Sequence, residues 1–227
     1  MVASHNSWLA AVWPKVRFRL PAPPAVVVEI GCGPEGGFVP MLRQSGYQAL
    51  GVDPRAPEGS SFRRVEFERC ELPTRADAVV ACTSLHHVAE PDEVLEKVAR
   101  SLRPGGVVIV VEWDWESFDE RTARWAFDRV SPPESGGWLG RRREGWVASH
   151  QSWRSYLRAW ATEEGLHPAD RLIRELDRRF CPLFRGSGPY LFADLPETSE
   201  EDERRAIHAG EIRATRIDYA GVVSPNG

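Results

Sequence analysis

Residues 26–36 read VVVEIGCGPEG, a run of mostly β-branched apolar residues that leads directly into a glycine-rich turn. Such a run is typical of a strand that is covered on both faces, as in a parallel sheet. Gly31, Gly33 and Gly36 match the Gly-x-Gly-x-x-Gly pattern of nucleotide-binding turns, where glycine lets the backbone approach a ligand closely. NAD-binding folds share this pattern. Alone, it therefore predicts a nucleotide-like ligand without identifying it.

Strands and helices alternate after this turn. The clearest helix covers residues 91–102, where Pro91 suits the first helical position and apolar residues recur at helical spacing. Further strands are predicted at 49–53, 64–68, 76–81, 107–111, 191–193 and 216–223. Further helices are predicted at 39–43, 153–164 and 197–212. This order predicts the α/β class, with a doubly wound, mostly parallel sheet of seven strands.

Two other segments complete the predicted organisation. Residues 1–24 are expected to form a helical cap, which ends near Pro14, followed by a proline-rich linker. Residues 25–227 are expected to form the main domain. That domain divides into a ligand-binding half, a substrate-side insertion rich in tryptophan and the late strands, at 25–113, 114–165 and 166–227.

Carboxylates and downstream turns narrow the choice of ligand. Glu29 lies at the end of the first strand, where many dinucleotide-binding folds keep an apolar residue. Asp53 follows Gly33 by 20 residues, at the end of the second predicted strand, where a carboxylate can accept both hydroxyls of a ribose. The sequence has no evident Tyr-x-x-x-Lys pair or other hydride-transfer site. An NAD-dependent oxidoreductase is therefore disfavoured.

Five motifs together resemble those of the class I S-adenosylmethionine-dependent methyltransferases, and most closely the small-molecule branch of that family. They are EIGCG at 29–33, GVD at 51–53, ELP at 71–73, SLHH at 84–87 and LRPGG at 102–106. Their order and spacing match over residues 25–113, about two-fifths of the chain. The resemblance implies an enzyme that uses S-adenosylmethionine to methylate an oxygen or nitrogen of a small molecule, in bacterial secondary metabolism.

The resemblance also implies the cofactor-binding residues. The glycine turn would pass beside the methionine part of the cofactor, and Glu29 would help to hold its ammonium group. Asp53 would bind the ribose and the residue after it would pack near the adenine. Glu68, where aspartate is more usual, would contact the adenine amino group, and Thr83 and Ser84 would lie near the amino-acid portion. The full implied set is Glu29, Gly31, Cys32, Gly33, Asp53, Pro54, Glu68, Arg69, Thr83 and Ser84.

Three residues at predicted strand ends are candidates for catalysis. Methyl transfer to an alcohol, phenol or amine requires an aligned nucleophile and, in some cases, removal of a proton. His86 and His87 suit proton transfer near neutral pH. Glu112 is the next candidate, either as a base or, with Asp114, as a partner for a cationic amine. The alternative is that the paired histidines serve structure or cofactor packing.

Seven of the nine tryptophans fall between residues 113 and 160. Those expected to line or cover a substrate pocket are Trp113, Trp115, Trp138 and Trp146. The last two are predicted to lie in a loop at 131–150, and the alternative is that they anchor this loop to the domain. Trp8 or Trp13 would cover the sulfonium by cation–π attraction, if the amino-terminal helix acts as a lid.

The overall composition limits the classes of partner. The chain has 29 basic and 33 acidic residues, a net charge of −4, which disfavours a polynucleotide substrate. One basic run, at 141–143, supports the alternative of a tRNA- or protein-directed enzyme; a catalytically silent partner subunit is a further alternative. The four cysteines lack the spacing of a metal site, and no signal or membrane-spanning pattern is present. We expect a cytoplasmic monomer or homodimer that binds no metal or membrane.

Overall fold

The computed structural model describes residues 2–130 and 137–223, with side chains from residue 7 onwards. The strands of the described chain are β1 Val26–Ile30, β2 Gln48–Val52, β3 Phe62–Arg63, β4 Ala76–Cys82, β5 Leu102–Trp113, β6 Phe180–Gly188 and β7 Arg216–Val223. They form one sheet in the order β3-β2-β1-β4-β5-β7-β6. Strands β1 to β5 are parallel, and β7 is antiparallel to both β5 and β6. The prediction of a doubly wound, mostly parallel α/β sheet is confirmed.

Helices cover both faces of this sheet. They are α1 Val2–Arg19, α2 Val39–Gln44, α3 Pro91–Ser101, α4 Glu120–Phe127, α5 Trp138–Ser149, α6 Trp153–Glu163, α7 Ala169–Arg179 and α8 Glu200–His208. Val27 faces a core formed with α1 and α2, whereas its neighbour Val28 faces the core formed with α3 and α7. This alternation follows from the two-residue repeat of a strand. None of the described helices has the length and apolarity needed to cross a membrane.

The amino-terminal helix does not end near Pro14, so that prediction is wrong. Helix α1 continues through Pro14 to Arg19. An interior proline costs a helix about 3 kcal/mol. However, Val12, Val16 and Leu20 are buried at helical spacing in the core beside the sheet, and each contributes roughly 1.5–3 kcal/mol. Burial of this continuous face therefore outweighs the cost of the proline.

Two of the predicted strands are also wrong. Strand β3 covers only Phe62–Arg63 rather than 64–68, and Phe67–Arg69 forms a 3₁₀ turn. The charged residues of that segment remain largely exposed, so they contribute little burial to support a longer strand. The predicted strand at 191–193 is a 3₁₀ turn, Leu191–Asp194.

The edge strand beside β7 is β6, which the sequence pattern does not reveal. Its central residues are exposed and include Pro182, so neither apolar alternation nor strand propensity marks it. Helix α7, which precedes it, was also not predicted.

The substrate-side insertion is more regular than predicted. Trp138 and Trp146 lie in helix α5, not in a loop. This helix packs with α4 and α6 in a third core of mainly aromatic residues. The first part of the predicted loop, residues 131–136, lies outside the described residues.

Candidate active site at the carboxyl edge of the sheet

Four parallel strands bring their carboxyl ends to one edge of the sheet. Ile30 of β1 is in register with Val52 of β2 and Ala81 of β4, and Cys82 is in register with Val111 of β5. Ligands of open α/β sheets bind outside this edge. The predicted site residues that follow these strand ends are therefore neighbours, namely 29–33, 53–54, 83–87 and 112–113.

The turn after β1 requires glycine at its first position. Gly31 has a φ of +75°, and its N–H donates to the Val52 carbonyl at 2.8 Å. A Cβ at this position would lie 2.2 Å from Cβ of Ser84, whose hydroxyl donates to the Ile30 carbonyl at 2.9 Å. Gly33 also has a positive φ, +64°, but open space lies where its Cβ would be. The turn is thus held firmly at one end and leaves room for a ligand at the other.

Asp53 follows β2, and backbone donors orient its carboxylate. Oδ2 accepts a hydrogen bond from the N–H of Gly33 at 3.1 Å, and Oδ1 accepts one from the N–H of Arg55 at 2.6 Å. The side chain is only partly buried. Because a carboxylate has about four lone-pair sites, it can still accept hydrogen bonds from a diol. The geometry suits a ribose-binding carboxylate.

Glu29 is enclosed at the end of β1, with 1% of its surface exposed. Both carboxylate oxygens accept from the N–H of Phe38, at 3.0 and 2.8 Å. Burial raises the pKa of Glu29 to about 8, although the backbone N–H groups of Phe38 and Val39 oppose this rise. Near neutral pH the unligated protein therefore keeps much of Glu29 protonated. An ammonium group nearby would favour the ionised form.

The loop after β4 closes over the glycine turn. Thr83 has a φ of +49°, which is unusual for a β-branched residue, and its N–H donates to the Val111 carbonyl at 2.8 Å. Strain of this kind persists where surrounding contacts fix the chain. Cys32 is buried in the turn, and burial, followed by the charges of Glu29 and Asp53, raises the pKa of its thiol to about 12. Cys32 is therefore a neutral thiol.

The other predicted adenine-side residues are less enclosed. Glu68 is partly buried in the 3₁₀ turn after β3, and its carbonyl accepts a hydrogen bond from Nζ of Lys97 at 2.8 Å. Arg69 is exposed and pairs with Glu66 at 3.2 Å. Pro54 is exposed next to Asp53. Lys97 thus fixes the backbone of the turn, while the Glu68 side chain accepts no hydrogen bond from the described residues.

Glu112 is completely buried in β5 and organises the 3₁₀ turn Leu85–His87. Oε1 accepts from the N–H groups of Ser84 and Leu85 at 2.7 and 2.6 Å. Oε2 lies 2.5 Å from Nδ1 of His86, whose ring is 4% exposed. We assign the proton between the two groups to Nδ1, with the carboxylate as the acceptor, which leaves the Nε2 lone pair free. Within the described chain, Nε2 has no hydrogen-bond partner.

His87 lies beside this pair, with its ring centroid 4.1 Å from that of His86. Desolvation, followed by the neighbouring His86, lowers the pKa of His87 to about 4, while Glu112 opposes the shift. Part of the ring remains exposed. His87 is therefore neutral at physiological pH and holds a proton less readily than an ordinary histidine.

The residues at this edge fit S-adenosylmethionine. The left-handed glycines keep a backbone surface free of side chains, with open space beside Gly33. Asp53 provides an oriented carboxylate for a diol, and Glu29 provides a carboxyl group close to the turn. Glu68 follows strand β3, which lies next to β2 on the side away from β1. Asp53 would hold the ribose, Glu29 the amino-acid part and Glu68 the adenine.

Trp113 is the centre of the aromatic cluster beyond this edge. It is 4% exposed, and its ring centroid lies 5.3 Å from Trp138, 5.9 Å from Trp160 and 6.0 Å from Tyr190. It also meets His86 edge-on at 6.3 Å. Of the four tryptophans predicted to form the pocket, Trp113 and Trp138 are therefore in contact beside the His86–Glu112 pair.

The other two predicted pocket tryptophans make structural contacts. Trp115 is buried, and its Nε1 donates to the carbonyl of His167 at 3.2 Å. Trp146 packs against Trp153 at 5.2 Å and donates to the carbonyl of Gln151. Trp115 thus ties the start of the insertion to the segment before α7, whereas these contacts of Trp146 lie within the insertion.

Sequence reasoning missed Tyr190 and Glu203, which lie beside this edge. Tyr190 stacks on Trp113, and Trp8 of α1 meets Tyr190 edge-on at 5.5 Å. Glu203 of α8 is fully buried and accepts from the N–H groups of Tyr190 and Phe192 at 2.9 and 2.7 Å. The only local sign of the buried Glu203 is that it shares a face of α8 with the apolar Ala206.

His167, from outside the predicted site, supports the turn Leu85–His87. Its N–H donates to the His86 carbonyl at 2.9 Å, and its Nε2 lies 2.7 Å from the Val88 carbonyl. Nδ1 lies 2.9 Å from a guanidinium nitrogen of Arg171. His167 therefore spans the turn that presents His86.

In the described part of the chain, no group of three or more His, Cys, Asp or Glu side chains could hold a metal ion. A cavity of about 460 Å³ lies between α4 and α8 and is lined by Arg129, Asp202 and Arg205 among others. It contains none of the predicted site residues and lies away from the sheet edge described above.

The chain resembles known proteins in sequence. A model of the methyltransferase-domain family matches residues 6–166, most of the chain. A tRNA (carboxymethyluridine(34)-5-O)-methyltransferase from Mus musculus is 30% identical over 129 residues, 51% of this chain and 19% of that protein. A 2-ketoarginine methyltransferase from Streptomyces arginensis is 31% identical over 122 residues, 46% of this chain and 36% of that protein. The chain thus spans well under half the length of either relative.

Solved structures share the fold over nearly the whole chain. An S-adenosylmethionine-dependent methyltransferase from Mesorhizobium loti has a TM-score of 0.52 and 18% identity, covering 93% of this chain and 97% of the other. An N-methyltransferase from Bradyrhizobium japonicum, solved with S-adenosyl-L-homocysteine, has a TM-score of 0.52 and 13% identity, covering 95% and 86%. At this level of identity the likeness is one of fold.

Proposed function

Because the chain belongs to the class I S-adenosylmethionine-dependent methyltransferases, we propose that it methylates an oxygen or nitrogen of a small molecule with His86 as the general base. S-adenosylmethionine supplies an electrophilic methyl group on a sulfonium. The His86–Glu112 pair carries this proposal. A buried carboxylate on Nδ1 orients the ring and leaves Nε2 to accept a proton from the nucleophile.

Glu112 fulfils two tasks in this proposal. Its hydrogen bonds to the N–H groups of Ser84 and Leu85 fix the turn, so that the His86 ring is held before substrate arrives. The same carboxylate faces the imidazolium that forms when Nε2 takes up a proton, and it stabilises that charge in a buried setting. His87, with its lowered pKa, stays neutral and does not compete for the proton at pH 7.

The cofactor roles of the remaining residues are also part of the proposal. The backbone at residues 31–33 and the loop at 83–84 would hold the amino-acid portion, and Glu29 would bind its ammonium group. Asp53 would bind the ribose, and Glu68, with Pro54 and Arg69 nearby, would contact the adenine. What supports these roles is the shared sheet edge and the oriented carboxylates described above.

A small-molecule acceptor is favoured by the surroundings of the base. Trp113 lies against the His86 ring, and Trp138 and Tyr190 pack on Trp113, so apolar rings adjoin the base, which suits a compact substrate better than a polymer. The net charge of −4 and the related 2-ketoarginine methyltransferase point the same way. We place the enzyme in the cytoplasm, in bacterial secondary metabolism, as a monomer or homodimer; its three buried cysteines, Cys32, Cys70 and Cys82, form no disulfide, as expected in a reducing compartment.

The base is tested by His86→Asn, whose amide can still donate to Glu112 but lacks Nε2. With methyl-labelled S-adenosylmethionine and a panel of phenols, alcohols and amines, we expect kcat for any methylated acceptor to fall about 10²- to 10⁴-fold. Affinity for S-adenosylhomocysteine should be unchanged. His208→Asn, at an exposed position on α8, is the matched control. A kcat within threefold of the wild type would exclude His86 as the base.

A tRNA base is the second candidate acceptor. It is supported by the relative that acts on tRNA and by the arginines at 141–143 of α5. Against it, the guanidinium of Arg142 lies over the Trp160 ring, 4.7 Å from its centroid, and so packs against the protein. Methylation of unmodified tRNA that falls steeply between 50 and 200 mM salt would favour this candidate. Absence of label in tRNA at low salt would exclude it.

A further inference from the structure

Three aromatic side chains from distant parts of the chain meet on the substrate side of the site. Tyr190 lies between Trp8 of α1 and Trp113 of β5, with ring centroids at 5.5 and 6.0 Å. Trp113 follows Glu112 in β5 and contacts the His86 ring. This group, called here the indole–phenol cluster, therefore adjoins the proposed base.

The polar atoms of the indole–phenol cluster lack protein partners. Nε1 of Trp8 and Nε1 of Trp113 are buried, in side chains 6% and 4% exposed, and neither donates a hydrogen bond. Over the described chain, the hydroxyl of Tyr190, a residue that is only partly buried, also makes no hydrogen bond. A buried donor left unpaired is costly and rare in folded proteins. Two buried indole donors on the two neighbours of the Tyr190 ring indicate that an acceptor is supplied from outside the chain.

The local charge decides what kind of acceptor fits. Burial, and then the carboxylates of Glu112 and Asp194, raise the pKa of Tyr190 well above its ordinary range, so its hydroxyl remains a donor. Arg216, the buried cation of the described residues, pairs with Asp218 at 3.1 Å and donates to the Pro189 carbonyl at 2.9 Å. An anionic group would meet repulsion from the carboxylates, and Arg216 is already paired. An uncharged oxygen would not.

We propose that Trp8, Trp113 and Tyr190 form a subsite that binds an uncharged carbonyl oxygen of the methyl acceptor. This subsite rests on the proposed function, since it assigns the substrate class of the same site. Glu203 holds the turn that carries Tyr190, through the N–H groups of Tyr190 and Phe192. A carbonyl bound there would place the substrate against Trp113, beside His86.

The indole N–H resonances provide a test that does not depend on turnover. Protein labelled with ¹⁵N at its tryptophan indoles, and saturated with S-adenosylhomocysteine, is titrated with acetophenone and with ethylbenzene, its hydrocarbon counterpart. Trp8→Phe and Trp113→Phe assign the two resonances. We expect both to move downfield with acetophenone, because they gain an acceptor, and not with ethylbenzene. Benzoate, the anionic counterpart, should bind more weakly than acetophenone.

A hydroxyl deletion checks the same subsite with a smaller change. Tyr190→Phe should weaken acetophenone binding about 2- to 10-fold. Tyr47→Phe should not, since it removes a hydroxyl that donates to Pro21 away from the site. The proposal is overturned if neither indole resonance responds, if both ligands shift them equally, or if benzoate binds more tightly. None of these results depends on His86, so a failed subsite and a failed base remain distinguishable.

Discussion

The carboxyl edge of the sheet, where we propose that the cofactor binds, is called here the cofactor edge. It and the indole–phenol cluster are built in opposite ways. At the cofactor edge, short segments of neighbouring parallel strands converge, and the decisive contacts are made by backbone: Gly31 to Val52, Gly33 to Asp53, Phe38 to Glu29. In the cluster, side chains converge from α1, β5 and the turn after β6. The first region is specified locally and the second by long-range packing. If the proposed roles are correct, we therefore expect substrate choice to change without disturbing cofactor binding.

The largest expected effect comes from Gly31→Ala, which changes the glycine turn of the cofactor edge. Its Cβ would lie 2.2 Å from Cβ of Ser84, at a φ of +75°. We expect a loss of at least about 3 kcal/mol in the free energy of unfolding and no detectable S-adenosylhomocysteine binding. Gly33→Ala meets no neighbour and should cost only about 1–2 kcal/mol from its φ. Equal unfolding curves for the two variants would contradict the close approach to Ser84.

Glu112→Gln tests the point where the two regions meet. A glutamine oxygen can still accept from Ser84 and Leu85, but its amide would then face Nδ1 of His86 and place the proton on Nε2. We expect kcat to fall about 10²- to 10⁴-fold, with cofactor affinity nearly unchanged. Glu116→Gln, exposed three residues from β5, is the control. Activity close to that of the control would show that the carboxylate does not determine which ring nitrogen of His86 carries the proton.

Glu29→Gln tests whether the carboxyl group of Glu29 has a raised pKa in the unligated protein. The pKa of Glu29 is raised on folding, so its contribution to stability is complete below the unfolded value near 4.5 and is lost as pH rises towards 8. Between pH 5.5 and 8, the wild type should lose about 3 kcal/mol of unfolding free energy through this group. Denaturant unfolding of Glu29→Gln should lack that decline. Glu35→Gln, exposed in the same turn, should retain it.

The smallest expected effect comes from a substitution beside the indole–phenol cluster. Trp138→Phe removes the hydrogen bond from Nε1 to Asp194, 2.8 Å long, but keeps an aromatic ring against Trp113. We expect a loss of about 1 kcal/mol in stability and a rise of a few fold in the KM of the acceptor. Cofactor affinity should not change. Trp146→Phe, whose Nε1 donates to Gln151, should leave that KM unaltered; a matching rise there would make the effect one of general packing.

The same contrast explains what the sequence could predict. The β-branched run before Gly31, the 20-residue interval to Asp53 and the amphipathic helix at 91–102 follow local rules of strand, turn and helix. The parallel sheet and its carboxyl edge therefore followed from sequence. Strand β6 did not, because its exposed residues and Pro182 carry no apolar alternation. Its neighbour β7 supplies the pairing that local propensity does not indicate.

Tyr190 and Trp8 illustrate the second limit. No sequence pattern indicates that these two residues meet, and their contact depends on how α1 and α8 pack on the sheet. His167 is similar: its contact with the His86 carbonyl joins residues 81 positions apart. Trp113, by contrast, was predictable because it directly follows a strand residue at the ligand-binding edge.

Calorimetric titration of S-adenosylhomocysteine into the wild type, Asp53→Ala and His86→Asn tests the central claim, that the glycine turn and Asp53 form the cofactor site separately from the base. Asp53 would contribute two charge-assisted hydrogen bonds to the ribose, so its removal should weaken binding about 100-fold. His86→Asn should bind as the wild type does. Wild-type affinity in Asp53→Ala, or a loss of similar size in His86→Asn, would contradict the account.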